Sequence, residues 1–457
     1  MFSPEDTIVA IATPPGRGGI GVVRVSGPEA FTIANAITTR QTPLEARRAT
    51  FTRLRAPDLE RASAGQARRD NLPAMDHVVV TLFPAPHSYT GQDVVEISAH
   101  GSPVVLRAIV TRAVDAGARL AQPGEFTLRA FLSGKLDLVQ AEAVGDLIAA
   151  ATPLQARVAF DQLEGTLTRQ IAAIDEELFD LIAKLEASLD FPDEGYHFIE
   201  PSAVGVAIRD VESQISTLLG TAARGRLVRE GAQVAIVGAP NVGKSSLFNA
   251  LLNANRAIVT PVPGTTRDLL TERADLHGLS VALIDTAGIR DTGDVVEQEG
   301  VARARQTVAV ADLLLVVLDQ SRPLNDEDRA ILASTEDRPR VVVLNKIDLR
   351  SAGATIAGVA VSVVTGEGLD QLARIIAREI GAAPEERDEP RVTNIRHIAL
   401  LERARNALTR ARDAVSASEE FLLADLQEAA AHLQEITGKR TTDDLLRHIF
   451  ERFCIGK

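Results

Sequence analysis

The feature that most constrains the fold of this chain is a short glycine-rich segment, Gly-Ala-Pro-Asn-Val-Gly-Lys-Ser, at residues 238–245. It follows a Val- and Ile-rich run at 234–237 and precedes a helix-forming run at 246–251. A strand, this glycine spacing ending in Lys-Ser, and then a helix are the context that a P-loop requires. Such a loop directs backbone N–H groups at phosphate oxygens, Lys244 offsets the phosphate charge, and the Ser245 hydroxyl binds Mg²⁺. This segment is therefore expected to bind a nucleotide.

Two further motifs stand at the ends of predicted strands. Residues 285–288, Asp-Thr-Ala-Gly, can supply a carboxylate for a Mg²⁺-bound water and a glycine N–H for the γ-phosphate. Residues 345–348, Asn-Lys-Ile-Asp, end another strand. Asp348 can accept hydrogen bonds from the ring N–H and the exocyclic amine of guanine, a pair that adenine does not offer, although alone it could be a solvated acid. Three motifs in this order make GTP the expected ligand.

The 457 residues suggest about three domains at roughly 150 residues each. Strands alternate with helices over 229–381, which predicts a doubly wound, mostly parallel sheet. Helical patterns flank it at 123–228 and 382–457, and we expect them to form one bundle that the α/β domain interrupts. Strand-length runs in 1–122 predict an α+β domain. The expected chain is thus a multidomain protein of α/β and α parts.

Two local expectations within these segments can be checked directly. Apolar residues from Val158 to Leu189 recur at spacings mostly of three and four, which predicts one helix. The Arg-rich stretch at about 41–73 is expected to be a loop or a short hairpin.

Charge and composition exclude several other classes of protein. The formal charge of −13 argues against a protein that mainly coats nucleic-acid phosphate, and leaves room for a local basic groove. The acidic start, Met-Phe-Ser-Pro-Glu-Asp, is unlike a signal peptide, and no uncharged run is suited to a membrane span, so we expect a cytoplasmic protein without membrane contact. The single cysteine, Cys454, excludes an intrachain disulfide. It could be a buried thiol or, beside Lys457, a nucleophile.

The nucleotide motifs resemble those of the translation-factor-related class of Ras-like small GTPases. The resemblance implies that Thr266, in Gly-Thr-Thr-Arg-Asp at 264–268, binds Mg²⁺, and that Ser362 and Val363 stand where the backbone meets the guanine carbonyl. Ile289 replaces the glutamine that orients the attacking water in Ras-like proteins, so another group must position this water.

Two residues are candidates to replace that glutamine and the positive charge of an arginine finger. Asn241 could bind a monovalent cation beside the phosphates, or could only stabilise the turn of the loop. Glu297 could reach the site if switch II folds inward, or could be a solvated acid at a helix start.

The flanking sequence makes the resemblance specific. Its motifs are Ala-Thr-Pro-Pro-Gly-Arg-Gly-Gly-Ile-Gly at 12–21, Ser-Tyr-Thr-Gly-Gln-Asp at 88–93, Pro-Gly-Glu-Phe-Thr-Leu-Arg-Ala-Phe at 123–131, Lys-Leu-Asp-Leu at 135–138, Asp-Phe-Pro at 190–192 and Phe-Cys-Ile-Gly-Lys at 453–457. With them the chain resembles the MnmE, or TrmE, family of tRNA-modification GTPases from end to end.

This resemblance implies a homodimer whose residues 1–122 bind a 5-formyltetrahydrofolate-type cofactor and dimerise. It implies that the G domains dimerise across GTP in a K⁺-dependent manner. It also implies action with the FAD-containing flavoprotein MnmG, as a heterotetramer, on the wobble uridine (position 34) of certain tRNAs. An aminomethyl or carboxymethylaminomethyl group is then added at carbon 5.

The resemblance also assigns site residues. The folate contacts are Arg24, Glu96, Lys135 and Lys457, the Mg²⁺ ligands are Ser245 and Thr266, the K⁺ ligands are Asn241, Thr260, Val262 and Thr265, and the catalytic residues are Glu297, Lys244 and Cys454. The nucleotide contacts are Asn241, Val242, Gly243, Lys244, Ser245, Ser246, Thr260, Pro261, Val262, Pro263, Gly264, Thr265, Thr266, Asp285, Thr286, Ala287, Gly288, Asn345, Lys346, Asp348, Ser362 and Val363. From the residues alone, Glu96 could instead form a structural salt bridge on an edge strand.

Two other functions remain open at this point. A ribosome-assembly GTPase of the Era or EngA type shares the nucleotide motifs and Asn241 but has no modification chemistry. It should bring a basic RNA-binding module, whereas the tail of this chain is acidic-leaning helix. A folate-binding scaffold whose partner does all the chemistry is poorly separated from a tRNA-modifying GTPase by sequence.

Overall fold

The structure is a computed structural model, and it describes residues 5–39, 42–55, 74–190, 200–255, 271–285, 311–350, 356–381, 392–415 and 419–456. The chain forms two compact units. Unit 1 comprises Met1–Gly145 with Thr437–Lys457, and unit 2 comprises Asp146–Ile436. The division at 122, 228 and 381 stays a prediction. Among the described helices, none combines the length and apolarity needed to cross a bilayer.

Unit 1 contains a six-stranded sheet in the order β3-β4-β5-β2-β1-β6. Its strands are β1 (Ile8–Ile11), β2 (Gly18–Ser26), β3 (Thr50–Arg55), β4 (Ala74–Phe83), β5 (Val94–Gly101) and β6 (Arg119–Leu120). Neighbours are antiparallel except β1 and β6, which are parallel. Strand β3 lies within the Arg-rich stretch and pairs with β4, as a hairpin arm would. Residues 56–73 lie outside the described ranges.

Helices α1 (Ala30–Ile37) and α2 (Pro103–Asp115) contribute to the main apolar core of this unit. Buried Ile33 and Ile109 join strand residues such as Val80 and Ile97 there. Three more helices, α3 (Glu125–Leu132), α4 (Leu138–Ala149) and α14 (Asp443–Phe450), enclose a smaller cluster around Phe450. The carboxyl-terminal helix therefore folds back onto unit 1.

The helical part of unit 2 contains α5 (Pro153–Leu163), α6 (Thr166–Asp190), α7 (Pro201–Gly220), α8 (Ala222–Glu230), α12 (Ile395–Ala414) and α13 (Glu419–Thr437). The prediction of one helix over 158–189 is wrong, because the helix is interrupted between Leu163, the end of α5, and Thr166, the start of α6. Gly165 has a φ of +77°, a left-handed conformation that glycine tolerates and that ends a helix. Apolar periodicity continues through the break, so it could not show the interruption.

Helices that precede the parallel sheet in the sequence contact helices that follow it, as predicted for a bundle that the α/β domain interrupts. Arg412 of α12 forms a 2.7 Å ion pair with Glu212 of α7. Gln434 of α13 donates a 3.1 Å hydrogen bond to Asp175 of α6. More than 190 residues separate the partners of each pair.

The second sheet has the order β12-β11-β10-β7-β9-β8. Its strands are β7 (Ala232–Val237), β8 (Thr271–Leu276), β9 (Leu279–Asp285), β10 (Leu313–Asp319), β11 (Arg340–Asn345) and β12 (Val359–Val361), and its helices are α9 (Lys244–Asn255), α10 (Asp326–Ser334) and α11 (Leu369–Glu379). All neighbours are parallel except β8 and β9, so the predicted mostly parallel sheet is present. Every residue of β10 is buried, as expected for a strand covered on both faces.

Candidate functional site

The P-loop joins the end of β7 at Val237 to the start of α9 at Lys244. Asn241 and Gly243 have left-handed backbones, with φ of +64° and +98°. A Cβ at Gly243 would collide with the amide nitrogen of Asn345, so this position needs glycine for space as well as conformation. This turn leads directly into α9, and the N–H groups at the amino end of a helix are the kind that bind an anion.

Two side chains of the Asn-Lys-Ile-Asp motif hold the P-loop. The buried Asn345 Nδ2 donates a 2.9 Å hydrogen bond to the carbonyl of Val242. Lys346 Nζ donates at 2.9 Å to the carbonyl of Asn241. The structure therefore brings two sequence motifs separated by about a hundred residues into direct contact.

The carboxylate expected to recognise guanine is held from one side. Asp348 is exposed, and its Oδ1 accepts a 2.6 Å hydrogen bond from Ser362 Oγ. Ser362 is fully buried, and its hydroxyl in turn accepts at 3.1 Å from the backbone N–H of Thr365. Val363 follows directly and is half-buried. Asp348 is therefore oriented by a buried hydroxyl although the residue itself is exposed.

The residues that fit Mg²⁺ are a hydroxyl and a carboxylate. Asp285 ends β9, is 3% exposed, and lies in register with Ile236 at the end of β7. Ser245 is exposed in the first turn of α9, and Ser246 follows it. Hard oxygen ligands of this kind suit Mg²⁺, with phosphate oxygens and water completing the shell. Lys244 Nζ donates to the loop carbonyls of Gly238 and Ala239, at 2.9 and 2.7 Å.

Several predicted site residues lie outside the described ranges, so their roles stay predictions. They are Thr260, Pro261, Val262, Pro263, Gly264, Thr265, Thr266, Thr286, Ala287, Gly288, Glu297 and Lys457. Asn241 is thus the one member of the predicted K⁺ set that lies within them, and it is exposed.

In unit 1, two predicted folate contacts bind each other. Arg24 of β2 donates from Nε and Nη2 to Oε1 of Glu96 at 3.0 and 2.8 Å. The guanidinium also lies over the rings of Tyr89 and Phe126, at 5.2 and 5.7 Å from their centroids. The alternative interpretation placed Glu96 in a salt bridge on an edge strand. The salt bridge is present, but Glu96 belongs to β5, which lies between β4 and β2 and is not an edge strand.

The carboxyl-terminal tail is fixed against the same unit. The backbone of Ile455 pairs with Pro123, and a Cβ at Gly456 would collide with the carbonyl of Ile11. Ile11 ends β1, beside β2, which carries Arg24. The alternative of a buried Cys454 thiol is wrong, because Cys454 is exposed. Lys135 is also exposed.

A buried ionic network supports α3, and sequence reasoning missed it. The Glu125 carboxylate accepts two hydrogen bonds from Arg119, at 2.7 and 2.8 Å, one from Arg129 at 3.0 Å and one from the backbone of Gln122 at 2.9 Å. Burial alone would raise the pKa of Glu125, but Arg119, Gln122 and Arg129 outweigh it and hold that pKa below its ordinary value. The spacing of four residues between Glu125 and Arg129 was a signal in the sequence.

The two residues that follow Glu125 on α3 pack around Arg24 and Tyr89. Phe126 is fully buried beneath the guanidinium, and Thr127 forms a 2.9 Å hydrogen bond with the hydroxyl of Tyr89. Burial raises the pKa of Tyr89 despite Thr127 and Arg24. The network around Glu125 therefore positions the aromatic floor of the candidate folate site.

A mostly parallel sheet, a P-loop at the carboxyl ends of its strands and an Asn-Lys-Ile-Asp loop tied to that P-loop define a P-loop GTPase. Family models match on both sides: "GTP-binding protein TrmE N-terminus" over residues 7–135 and "MnmE helical domain" over residues 138–454. The chain therefore belongs to the MnmE family of tRNA modification GTPases.

Curated relatives agree with this assignment over the full length. The tRNA modification GTPase MnmE of Koribacter versatilis is 45% identical, with 99% of each chain covered. The proteins of the same name from Chloroflexus aurantiacus and Aquifex aeolicus are 46% and 43% identical, with 99% of this chain and 100% of each relative covered. A ribosome-assembly GTPase would share the nucleotide motifs but not these flanking matches.

Proposed function

We propose that this GTPase is K⁺-dependent and acts as a cytoplasmic homodimer, with the flavoprotein MnmG, on the wobble uridine of certain tRNAs. GTP hydrolysis drives addition of an aminomethyl or carboxymethylaminomethyl group at carbon 5, with a one-carbon unit from a tetrahydrofolate. The observation that carries the GTP part is the oriented Asp348 carboxylate beside a P-loop tethered by Asn345. The tRNA part is supported by the names of the full-length relatives.

In this proposal the residues of unit 2 bind the phosphates and Mg²⁺ and orient the attacking water. Lys244 leaves the loop carbonyls and offsets β- and γ-phosphate charge, while Ser245 and Asp285 hold Mg²⁺ directly or through water. Mg²⁺ and K⁺ supply positive charge where the transition state gains negative charge. Glu297 orients the attacking water in place of the glutamine that Ile289 replaces.

The cation part is tested by GTP hydrolysis in KCl against NaCl at equal ionic strength. We expect faster hydrolysis in K⁺, and equal rates would refute K⁺ dependence. Asn241→Gly removes the side chain and suits the left-handed backbone, so it should abolish the K⁺ effect without straining the loop. Asn249→Ala, at an exposed position on α9, is the matched control and should keep it.

The water-orienting role is tested by Glu297→Ala. The variant should bind GTP as the wild type does but hydrolyse it about a hundredfold more slowly, as expected for loss of a group that acts on the attacking water. Glu327→Ala removes an exposed acid from α10 and should change neither quantity. Unchanged turnover in Glu297→Ala would assign the water to another residue.

The folate part is supported by the open side of the Arg24–Glu96 pair. Arg24 occupies Oε1 of Glu96, and Oε2 has no hydrogen-bond partner among the residues that the structure describes. This oxygen suits the donor edge of a pterin, while Lys135, Lys457 and Cys454 are proposed to complete the site, the two lysines near the glutamate tail.

Calorimetric titration with 5-formyltetrahydrofolate tests this site. Glu96→Gln and Gly456→Ala should each weaken binding, the second because a Cβ there displaces the tail from Ile11. GTP hydrolysis without the partner should persist in both. Glu45→Gln, an exposed surface change, should bind like the wild type. Equal affinity in all four proteins would remove the folate site from this place.

The cellular role is tested by mass spectrometry of wobble uridines in a strain lacking the gene. We expect unmodified carbon 5, restored by the wild-type chain and not by Glu297→Ala. Normal nucleosides in the deletion strain would refute the proposed function. Light scattering of the chain with and without MnmG tests the homodimer and the heterotetramer.

A further inference from the structure

Asp319 ends β10, in register with Asn345 at the end of β11. Its side chain is 7% exposed. Oδ1 accepts hydrogen bonds from the backbone and hydroxyl of Ser321, at 2.9 and 2.6 Å, and Oδ2 accepts from Lys346 Nζ at 2.7 Å. One carboxylate oxygen is thus fixed by its own turn, while the other accepts from Lys346 and lies 4.0 Å from Nε of Arg322, a longer and weaker contact.

Lys346 connects this carboxylate to the P-loop. Its backbone is left-handed, with φ of +68°, and its ammonium reaches both Asp319 and the carbonyl of Asn241. A lysine ammonium is otherwise a strongly hydrated charge on a flexible stem. Contact with two fixed oxygens restrains it, so the loop that carries Asp348 is held against the loop that carries the phosphate-binding groups.

A second connection between these loops does not involve Asp319. Asn345 Nδ2 donates to the carbonyl of Val242, one residue further along the P-loop. Loss of the Asp319 contact should therefore loosen the Lys346 side of the site while leaving Lys244 and Ser245 in place.

We propose that Asp319 is a positioning residue for nucleotide retention, which holds Lys346 on the Asn241 carbonyl and thereby keeps the guanine-recognition loop closed on the P-loop. This inference rests on the proposed function, since it requires a guanine nucleotide at Asp348. Asp319 itself touches neither the base nor the phosphates in this assignment. Its removal should affect how long nucleotide stays bound, with little effect on the hydrolytic step.

Asp319→Asn is the direct test because asparagine has the same shape. Its oxygen can still accept from Ser321, but its NH₂ group then faces the Lys346 ammonium, a second donor. Dissociation of fluorescent mant-GDP and the KM for GTP should each rise about tenfold, as for a lost hydrogen bond to a charged group. The kcat at saturating GTP should stay within about twofold. Asp326→Asn, a fully exposed site on α10, is the matched control and should behave as wild type.

A double-mutant cycle separates positioning from general stability. Lys346→Met should raise mant-GDP dissociation by itself, and adding Asp319→Asn should change it by less than about twofold. Unchanged dissociation in Asp319→Asn, or an equal further rise in the Lys346→Met background, would overturn the inference. If Asp319→Asn folds poorly, Lys346→Met alone tests the inference, because the Lys346 side chain is 32% exposed and its replacement should be tolerated. Dissociation of mant-GDP at the wild-type rate in Lys346→Met would also overturn the inference.

The wild-type protein distinguishes this inference from the proposed function. If wild type binds no mant-GDP, the proposed function fails. If it binds mant-GDP and the Asp319 variant retains it equally well, only the positioning role fails.

Discussion

Replacing Glu125 with alanine should lower the free energy of unfolding of unit 1 by about 3 kcal/mol. The Glu125 side chain is 1% exposed and joins two guanidinium groups. Arg119 is 34% exposed and can turn to water, whereas Arg129 is 3% exposed and cannot. Breaking a buried ion pair costs about 3–5 kcal/mol. We expect the low end because Arg129 also donates to the carbonyl of Asp6 and to Gln92.

Tyrosine fluorescence in urea can measure this change in unit 1 alone. The chain has no tryptophan and two tyrosines, Tyr89 and Tyr196. In a Tyr196→Phe background the signal comes from Tyr89, whose ring lies under Arg24. Glu45→Ala is the control, since this acid forms only an exposed pair, and its urea midpoint should match the wild type.

A loss below about 1 kcal/mol in Glu125→Ala would refute the reasoning, because it would mean that Arg129 finds full compensation elsewhere. Mant-GDP affinity provides the internal check. The nucleotide residues lie in unit 2, so the affinity should be unchanged, and a parallel loss of binding would show general misfolding rather than local destabilisation of unit 1.

Three further outcomes follow from the same contacts. Because the folded pKa of Glu125 lies below its ordinary 4.5, its stabilisation is present above that pH and lost as pH falls through the folded pKa; the difference in urea midpoint between wild type and Glu125→Gln should shrink there. Gly243→Ala should weaken mant-GDP binding at least tenfold, about 1.4 kcal/mol, through collision with Asn345, whereas Gly220→Ala, with open space around it, should not. Asp348→Asn should lose GTP and gain xanthosine triphosphate in a competition assay, because the amide donates where the carboxylate accepted; retained GTP preference would refute its role.

Local patterns predicted the parts of the fold in which residues act through neighbours along the chain. The P-loop, its following helix and the buried strand β10 are short segments whose composition indicates their structure. The break at Gly165 escaped prediction because the prediction followed the apolar spacing, which runs on through it, whereas the glycine with its left-handed backbone marks the turn.

The candidate site also contains residues that local motifs predicted and contacts that they did not. Lys244, Ser245 and Asp348 were predicted from motifs, because the chemistry expected of each follows from residue types at short spacings. The pairing of Arg24 with Glu96 was not expected, although both were candidates, because it depends on which strands become neighbours in the sheet. Asp319 follows no motif and gains its place only from the register of β10 and β11.

The sequence by itself determined the nucleotide chemistry and the family resemblance, since both depend on residue types at short spacings. Tertiary structure alone decided which distant charges face each other: Asp319 with Lys346 and Arg24 with Glu96. The physical reason is that an ion pair is stabilising or costly according to its burial and geometry, and strand order and register set both.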